Sequence, residues 1–165
     1  MSRAFWREAW LGRSPSRTLV RLAVLVAISS VVFTWVLLPI RAYGPSMLPT
    51  FGPGSFHLVN RVVYRLRGPE RGEIIAVRLA GLRVVYVKRI VGLPRERIEI
   101  RDGVVLVNRR PLDEPYVADR ATWNMREVTL SADEFFVIGD NRGMRMEQHE
   151  FGRVRRERIA GPVIF

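Results

Sequence analysis

Cysteine is absent from these 165 residues, histidine occurs twice, and lysine is nearly absent. Each scarcity removes a class of chemistry. Without cysteine there is no disulfide framework, no thiol nucleophile and no cysteine-ligated zinc. A cysteine-free chain tolerates oxidising and reducing surroundings alike, so the redox compartment stays open. With only His57 and His149, a histidine-rich metal site lacks ligands. A Ser-His-Asp scheme would have just two candidate bases.

The scarcity of lysine is more pointed. The chain carries 27 basic and 16 acidic residues, a net charge of +11, and every basic residue except Lys88 is arginine. One reading is an arginine-biased composition with one lysine left over. The other is chemical. Guanidinium stays protonated in proteins, whereas a buried amine can lose its proton. A position that needs a neutral amine can be filled only by lysine. A basic chain can also bind nucleic acid. Here the arginines are spread through every segment, with no aromatic-interleaved patch and no zinc-finger spacing, so no nucleic-acid partner is expected. One concentration stands out. Residues 1–21 hold Arg3, Arg7, Arg13, Arg17 and Arg21 against the single acid Glu8.

Directly after that basic segment, residues 22–40 read LAVLVAISSVVFTWVLLPI without a charge. A helix of that length spans about 28 Å, close to a hydrocarbon core of about 30 Å. Its polar residues, Ser29, Ser30 and Thr34, can bond back to their own helix. Trp35 suits an interfacial belt, and the preceding arginines place the N-terminus in the cytoplasm. The expectation is a single-pass anchor in the plasma membrane with everything after Arg41 outside. A cleavable signal peptide is the rival, since Ala42-Tyr43-Gly44 offers a small-x-small pattern. Its apolar core would usually be shorter, about 7 to 15 residues, and Pro45 after the pattern is a poor leaving partner.

Beyond Pro53-Gly54 the pattern turns short and strand-like. Residues 56–64 (FHLVNRVVY), 74–79 (IIAVRL) and 82–91 (LRVVYVKRIV) are rich in Val, Ile and Tyr. Arg101-Asp102-Gly103 between residues 98–100 and 104–107 is a hairpin signal. Strands are also expected at 127–130 and 135–138. No long 3.6-period stretch appears after residue 41. The sequence therefore predicts a mainly antiparallel β domain over 41–165, with a small β insert near 95–130, on one N-terminal membrane helix.

Three clusters could carry chemistry. Gly44-Pro45-Ser46-Met47-Leu48-Pro49-Thr50 holds a serine between two prolines. Alone, Ser46 reads first as a turn residue beside proline, and a nucleophile is the sharper alternative. Lys88 lies in an apolar strand, where Val84, Tyr86, Lys88 and Ile90 share a face. Burial there lowers an amine pKa. A fall from about 10.4 to about 7 corresponds to roughly 4 to 5 kcal/mol of disfavoured charge. A neutral Lys88 could take the proton of Ser46; alternatively the side chain snorkels to water. The third cluster is an apolar strand, Phe135-Phe136-Val137-Ile138, ending in the polar turn Gly139-Asp140-Asn141-Arg142.

In this order the three clusters resemble the bacterial type I signal peptidases, membrane-anchored serine proteases of the Ser-Lys dyad kind. Ser46-Met47-Leu48-Pro49-Thr50 is similar to the family's nucleophile motif. Tyr86-Val87-Lys88-Arg89-Ile90-Val91-Gly92-Leu93-Pro94 is similar to its general-base motif. Gly139-Asp140-Asn141-Arg142 is similar to its last box, with Phe151-Gly152-Arg153-Val154 as a tail. Arg71-Gly72-Glu73-Ile74-Ile75 resembles the strand between them.

The resemblance implies a serine endopeptidase that removes signal peptides from exported preproteins after small-x-small sites. Ser46 is its nucleophile and Lys88 its general base, and no metal or organic cofactor is needed. The oxyanion hole is expected at the Ser46 backbone N–H. Gly44 marks the second position, where some relatives carry a hydroxyl. Ile40, Ala42, Met47, Tyr86 and Val87 are expected to line shallow apolar substrate pockets. The expected partners are preproteins, the lipid bilayer and the protein export channel. Supporting roles fall to Asp140, Asn141, Glu147 and His149.

The last box departs from the family pattern. Arg145 replaces the serine that commonly orients the lysine, and Glu147 and His149 stand where Asp and Arg are usual. Arg145 is expected to point away, leaving a water or backbone carbonyl to orient the amine. Arg95, where glycine is usual after Pro94, matters only if that turn needs a positive φ. The altered box also motivates two alternatives: an inactive relative that binds signal sequences, and a specialised Ser-Lys maturation protease.

Overall fold

The computed structural model describes residues 15–78 and 85–164. The chain forms two compact units that meet in sequence at Leu37 and Leu38. The first is helix α1, Pro15–Val31, extended by a π-helical segment, Val32–Val36. Proline suits the first helical position, where its missing N–H would have no partner. Ser16–Val36 has a mean hydropathy of 2.2 and is long and apolar enough to cross a membrane.

This helix differs from the span read over 22–40. It begins earlier, and Leu37–Arg41 forms a strand, β1. Pro39 has no N–H to donate and disfavours helical backbone at the residue before it. The apolar run is thus divided between a helix and a strand. Of the basic segment, Arg3, Arg7 and Arg13 lie outside the described residues, and Arg17 and Arg21 fall within α1.

The second unit is built from two antiparallel sheets. Its other strands are β2 (Phe56–Asn60), β3 (Ile74–Arg78), β4 (Val85–Gly92), β5 (Arg97–Arg101), β6 (Val104–Val107), β7 (Arg110–Pro111), β8 (Met125–Thr129), β9 (Glu134–Ile138), β10 (Gly152–Arg155) and β11 (Ile159–Ile164). The larger sheet runs β1-β2-β11-β3-β4-β9-β10 and the smaller β7-β6-β5-β8. All four residues from Ile74 to Val77 are buried, because both faces of β3 are covered. One face joins Met47, Phe51, Val59 and Val87. The other joins Ile75, Val77, Ile90, Phe135 and Val137. Fully burying such a side chain stabilises by about 1.5 to 3 kcal/mol. Trp123, Phe136, Ile98 and Ile100 belong to a third cluster that draws on both sheets.

Local chemistry sets the strand ends. β2 stops at Asn60, whose Oδ1 accepts the N–H groups of Val62 and Val63 at 3.0 and 3.1 Å. The strand-like stretch 61–64 therefore turns, and Val63–Arg65 is a 3-10 helix. Asp102 and Gly103 both take positive φ, 49° and 77°, the conformation of a two-residue hairpin turn between β5 and β6. Positive φ also holds at Arg95, 68°, so that turn does take the conformation glycine adopts most cheaply.

Candidate active site

Ser46 sits in the turn that follows β1. The N–H of Leu48 bonds to the Pro45 carbonyl and that of Phe51 to the Met47 carbonyl. Met47, 3% exposed, anchors the turn in the core. From the other side the loop after β9 grips it. The Asn141 N–H donates to the Ser46 carbonyl at 3.1 Å, and Asn141 Nδ2 donates to the Pro45 carbonyl at 3.0 Å. This approach requires glycine at 139. A Cβ there would come within 2.1 Å of the Ser46 carbonyl oxygen and 2.7 Å of the His149 ring.

Lys88 projects from β4. Its partner across the strands is Ile75, while Tyr86 pairs with Val77 and Ile90 with Val137. The alternation of strands puts all of these on the lysine's face. Val84, the other residue assigned to that face, lies outside the described residues. Lys88 is 4% exposed, and its Nζ lies 2.9 Å from Ser46 Oγ. Burial in this apolar surround lowers its pKa to about 8, opposed by the more distant Glu150 carboxylate. Among the described residues Lys88 forms no ion pair within 4.0 Å. A pKa near 8 leaves a sizeable neutral fraction at ordinary pH. In that form the Ser46 hydroxyl can donate to the amine.

A narrow cleft of about 30 Å³ opens at the pair, lined by Ala42, Gly44, Met47, Tyr86 and Val87. These five were all read from the sequence. Tyr43 and Phe51 complete it and were not. Ile40 packs against the neighbouring core cluster instead. Gly44 has φ +83°, and a Cβ there would meet nothing within 4 Å. Its backbone conformation, not crowding, calls for glycine.

The remaining expectations separate. Asp140, 1% exposed, does not touch the lysine. It takes a two-pronged contact from Arg89, Nε to Oδ1 at 2.8 Å and Nη2 to Oδ2 at 2.6 Å, and a hydrogen bond from Thr50 at 2.5 Å. Glu147 is exposed on the short 3-10 helix Met146–Gln148 and lines a surface cavity with Trp123 and Arg145. His149 is buried, edge-on to Trp123 with ring centroids 4.9 Å apart. Burial, reinforced by the charges of Lys88 and Arg142, lowers its pKa to about 4. Glu147 and His149 do not pair among the described residues, because one side chain is exposed and the other buried. Arg145 is exposed and away from the amine. No backbone carbonyl takes over its place; Ser46 Oγ is the hydrogen-bond partner of Lys88 among the described residues.

Sequence reasoning gave no role to Arg89, Arg142 or Glu114. Arg142 and Glu114 form a buried ion pair at 2.5 Å, and Arg142 Nε donates to the Gly139 carbonyl at 2.8 Å. Arg89 could have been assigned from alternation alone. If Lys88 faces one way, Arg89 faces the other and needs a carboxylate. Glu114 has no such signal. It is an ordinary charge in a loop until the fold brings Arg142 and Arg120 to it.

Comparison with known proteins finds sequence relatives of this chain. "Probable signal peptidase I-2" of Synechocystis sp. is 35% identical over 70% of this chain, and the chain spans 56% of that relative's length. "Signal peptidase IB" of Staphylococcus aureus (strain COL) is 28% identical over 89% of this chain and 86% of the relative. A crystal structure of a signal peptidase I from Enterococcus faecalis V583 has a TM-score of 0.47 at 27% identity, covering 59% of this chain and 98% of that one. The family model for signal peptidase, peptidase S26, matches residues 16–165. The chain belongs to that family.

Proposed function

We propose that the chain is a membrane-anchored serine endopeptidase that cuts signal peptides from exported preproteins after small-x-small sites. The observation that carries this reading is the 2.9 Å approach of a buried lysine to a serine hydroxyl, with no carboxylate in ion-pair contact with the lysine among the described residues. Neutral Lys88 takes the Ser46 proton, and Oγ attacks the scissile carbonyl. Among the described residues the Ser46 N–H donates to no acceptor, so it is free to meet the developing oxyanion. A donor of that kind is worth about 100-fold in rate. Protonated Lys88 then gives its proton to the leaving amine. Water, deprotonated by the same lysine, cleaves the acyl ester. A cleft of about 30 Å³ has space for about one water molecule, which favours a methyl-sized side chain before the cut.

The membrane-length helix supports an anchor in the plasma membrane, with the N-terminus cytoplasmic and the β domain outside. It keeps the protease on the bilayer its substrates cross, where the export channel delivers them. Proximity of this kind contributes several kcal/mol. The test uses detergent-solubilised protein and a preprotein with an Ala-x-Ala site, beside Ser46→Ala and Lys88→Arg. Wild type alone should cleave, and each variant should lose about 10⁴-fold or more. Cleavage by Ser46→Ala would sink the reading.

A further inference from the structure

Lys88 and Tyr86 line two cavities. One is the cleft at Ser46. The other, of about 140 Å³, shares Lys88 and Tyr86 but does not reach Ser46. Val77, Val137 and Val154 give it apolar walls, and Arg78, Arg153 and Arg158 supply its cationic groups. Its one acid is Glu150, which already accepts the Tyr86 hydroxyl at 2.6 Å. Arg153 approaches Glu134 only at 3.9 Å. Among the described residues Arg78 and Arg158 have no carboxylate partner. Two guanidinium groups over an apolar wall are therefore without a carboxylate among the described residues.

Reaction chemistry says which part of a peptide meets this cavity. The base that deprotonates Ser46 must later protonate the leaving amine. That nitrogen belongs to the residue after the cut, so the chain beyond the cut passes Lys88. A cavity that includes Lys88 and omits Ser46 lies on the leaving-group side. The guanidinium fork matches a carboxylate in geometry and charge.

We propose that this cavity is the subsite for the residue just after the scissile bond, and that it selects substrates carrying a carboxylate side chain there. This rests on the peptidase reading above. Three peptides that share one Ala-x-Ala site, with Glu, Gln or Lys after the cut, test it on the full-length protein in detergent. Wild type should favour Glu over Gln by about 3- to 10-fold in kcat/KM, as expected for partly exposed ion pairs, with Lys last. Arg78→Gln/Arg158→Gln should bring the Glu to Gln ratio to about one. Arg78→Glu/Arg158→Glu should turn the preference toward Lys. Each ratio is taken within one protein, so a loss of folded material cancels. Equal rates for the three peptides, or a ratio that survives the double Gln variant, would overturn the subsite and leave the peptidase reading standing. No cleavage of any peptide by folded wild type would overturn both.

Discussion

Lys88 and Arg89 are neighbours on β4 and point to opposite faces of the sheet. Arg89 meets two oxygens of Asp140, the Gly72 carbonyl at 2.7 Å and the ring of Tyr116, 3.9 Å away. Lys88 shares its face with Ile75, Val77 and Val137 and bonds a single hydroxyl. One strand thus carries a cation whose charge is matched and a cation whose charge is disfavoured. On the proposed mechanism, the difference explains why arginine suffices at one position and lysine is needed at the other. A guanidinium in the Lys88 site could not act as a base. The matched face fixes the loop after β9, and that loop holds Ser46. On the proposed mechanism, the apolar face supplies the reactivity.

Three perturbations would break or sharpen this contrast. The largest effect is expected from Asp140→Ala, which strands the largely buried Arg89 charge. Breaking such a pair costs about 3 to 5 kcal/mol, readable as a lower urea midpoint. The double change Arg89→Met/Asp140→Leu should recover much of that loss, since it removes both charges. If Asp140→Ala unfolds like the wild type, the pair does not hold the site.

Next is Glu150→Gln. The Glu150 carboxylate raises the Lys88 pKa against the larger effect of burial. In the proposed mechanism the reactive form is the neutral amine, so kcat/KM should rise with pH through about 8 in the wild type. Removing the carboxylate should move that limb to lower pH. A limb that stays in place or moves up would show that Lys88 does not set it. The smallest effect is expected from Arg95→Gly, remote from both faces. Relief of the positive φ should stabilise by about 0.5 to 1 kcal/mol after the added chain entropy of glycine, with cleavage unaffected.

The serine, the lysine and the polar turn were legible because each lies in a compact motif. The β architecture was legible from alternation and from the Asp102-Gly103 turn. β11 was not, although it lies inside the larger sheet between β2 and β3. Its sequence, Ile159-Ala160-Gly161-Pro162-Val163-Ile164, contains two residues that ordinarily weaken strands. A Cβ at Gly161 would come within 1.9 Å of the Asn60 carbonyl oxygen, and the register against β3 shifts there. A close backbone approach of that kind leaves no periodic signal. The end of the helix was misplaced for a related reason. Hydropathy runs through to Ile40, while Pro39 decides the backbone. Glu114 and Glu150 were invisible because their partners are distant in sequence.

The scarcity of lysine allows a direct test of the unmatched cation. Protein labelled with ¹⁵N at the lysine side chain carries one Nζ, that of Lys88, and its NMR shift can be followed against pH in detergent. The account expects a single titration with a midpoint near 8. A midpoint near the ordinary value of about 10.4 would mean that Lys88 stays charged at working pH, and would contradict its role as the base for Ser46.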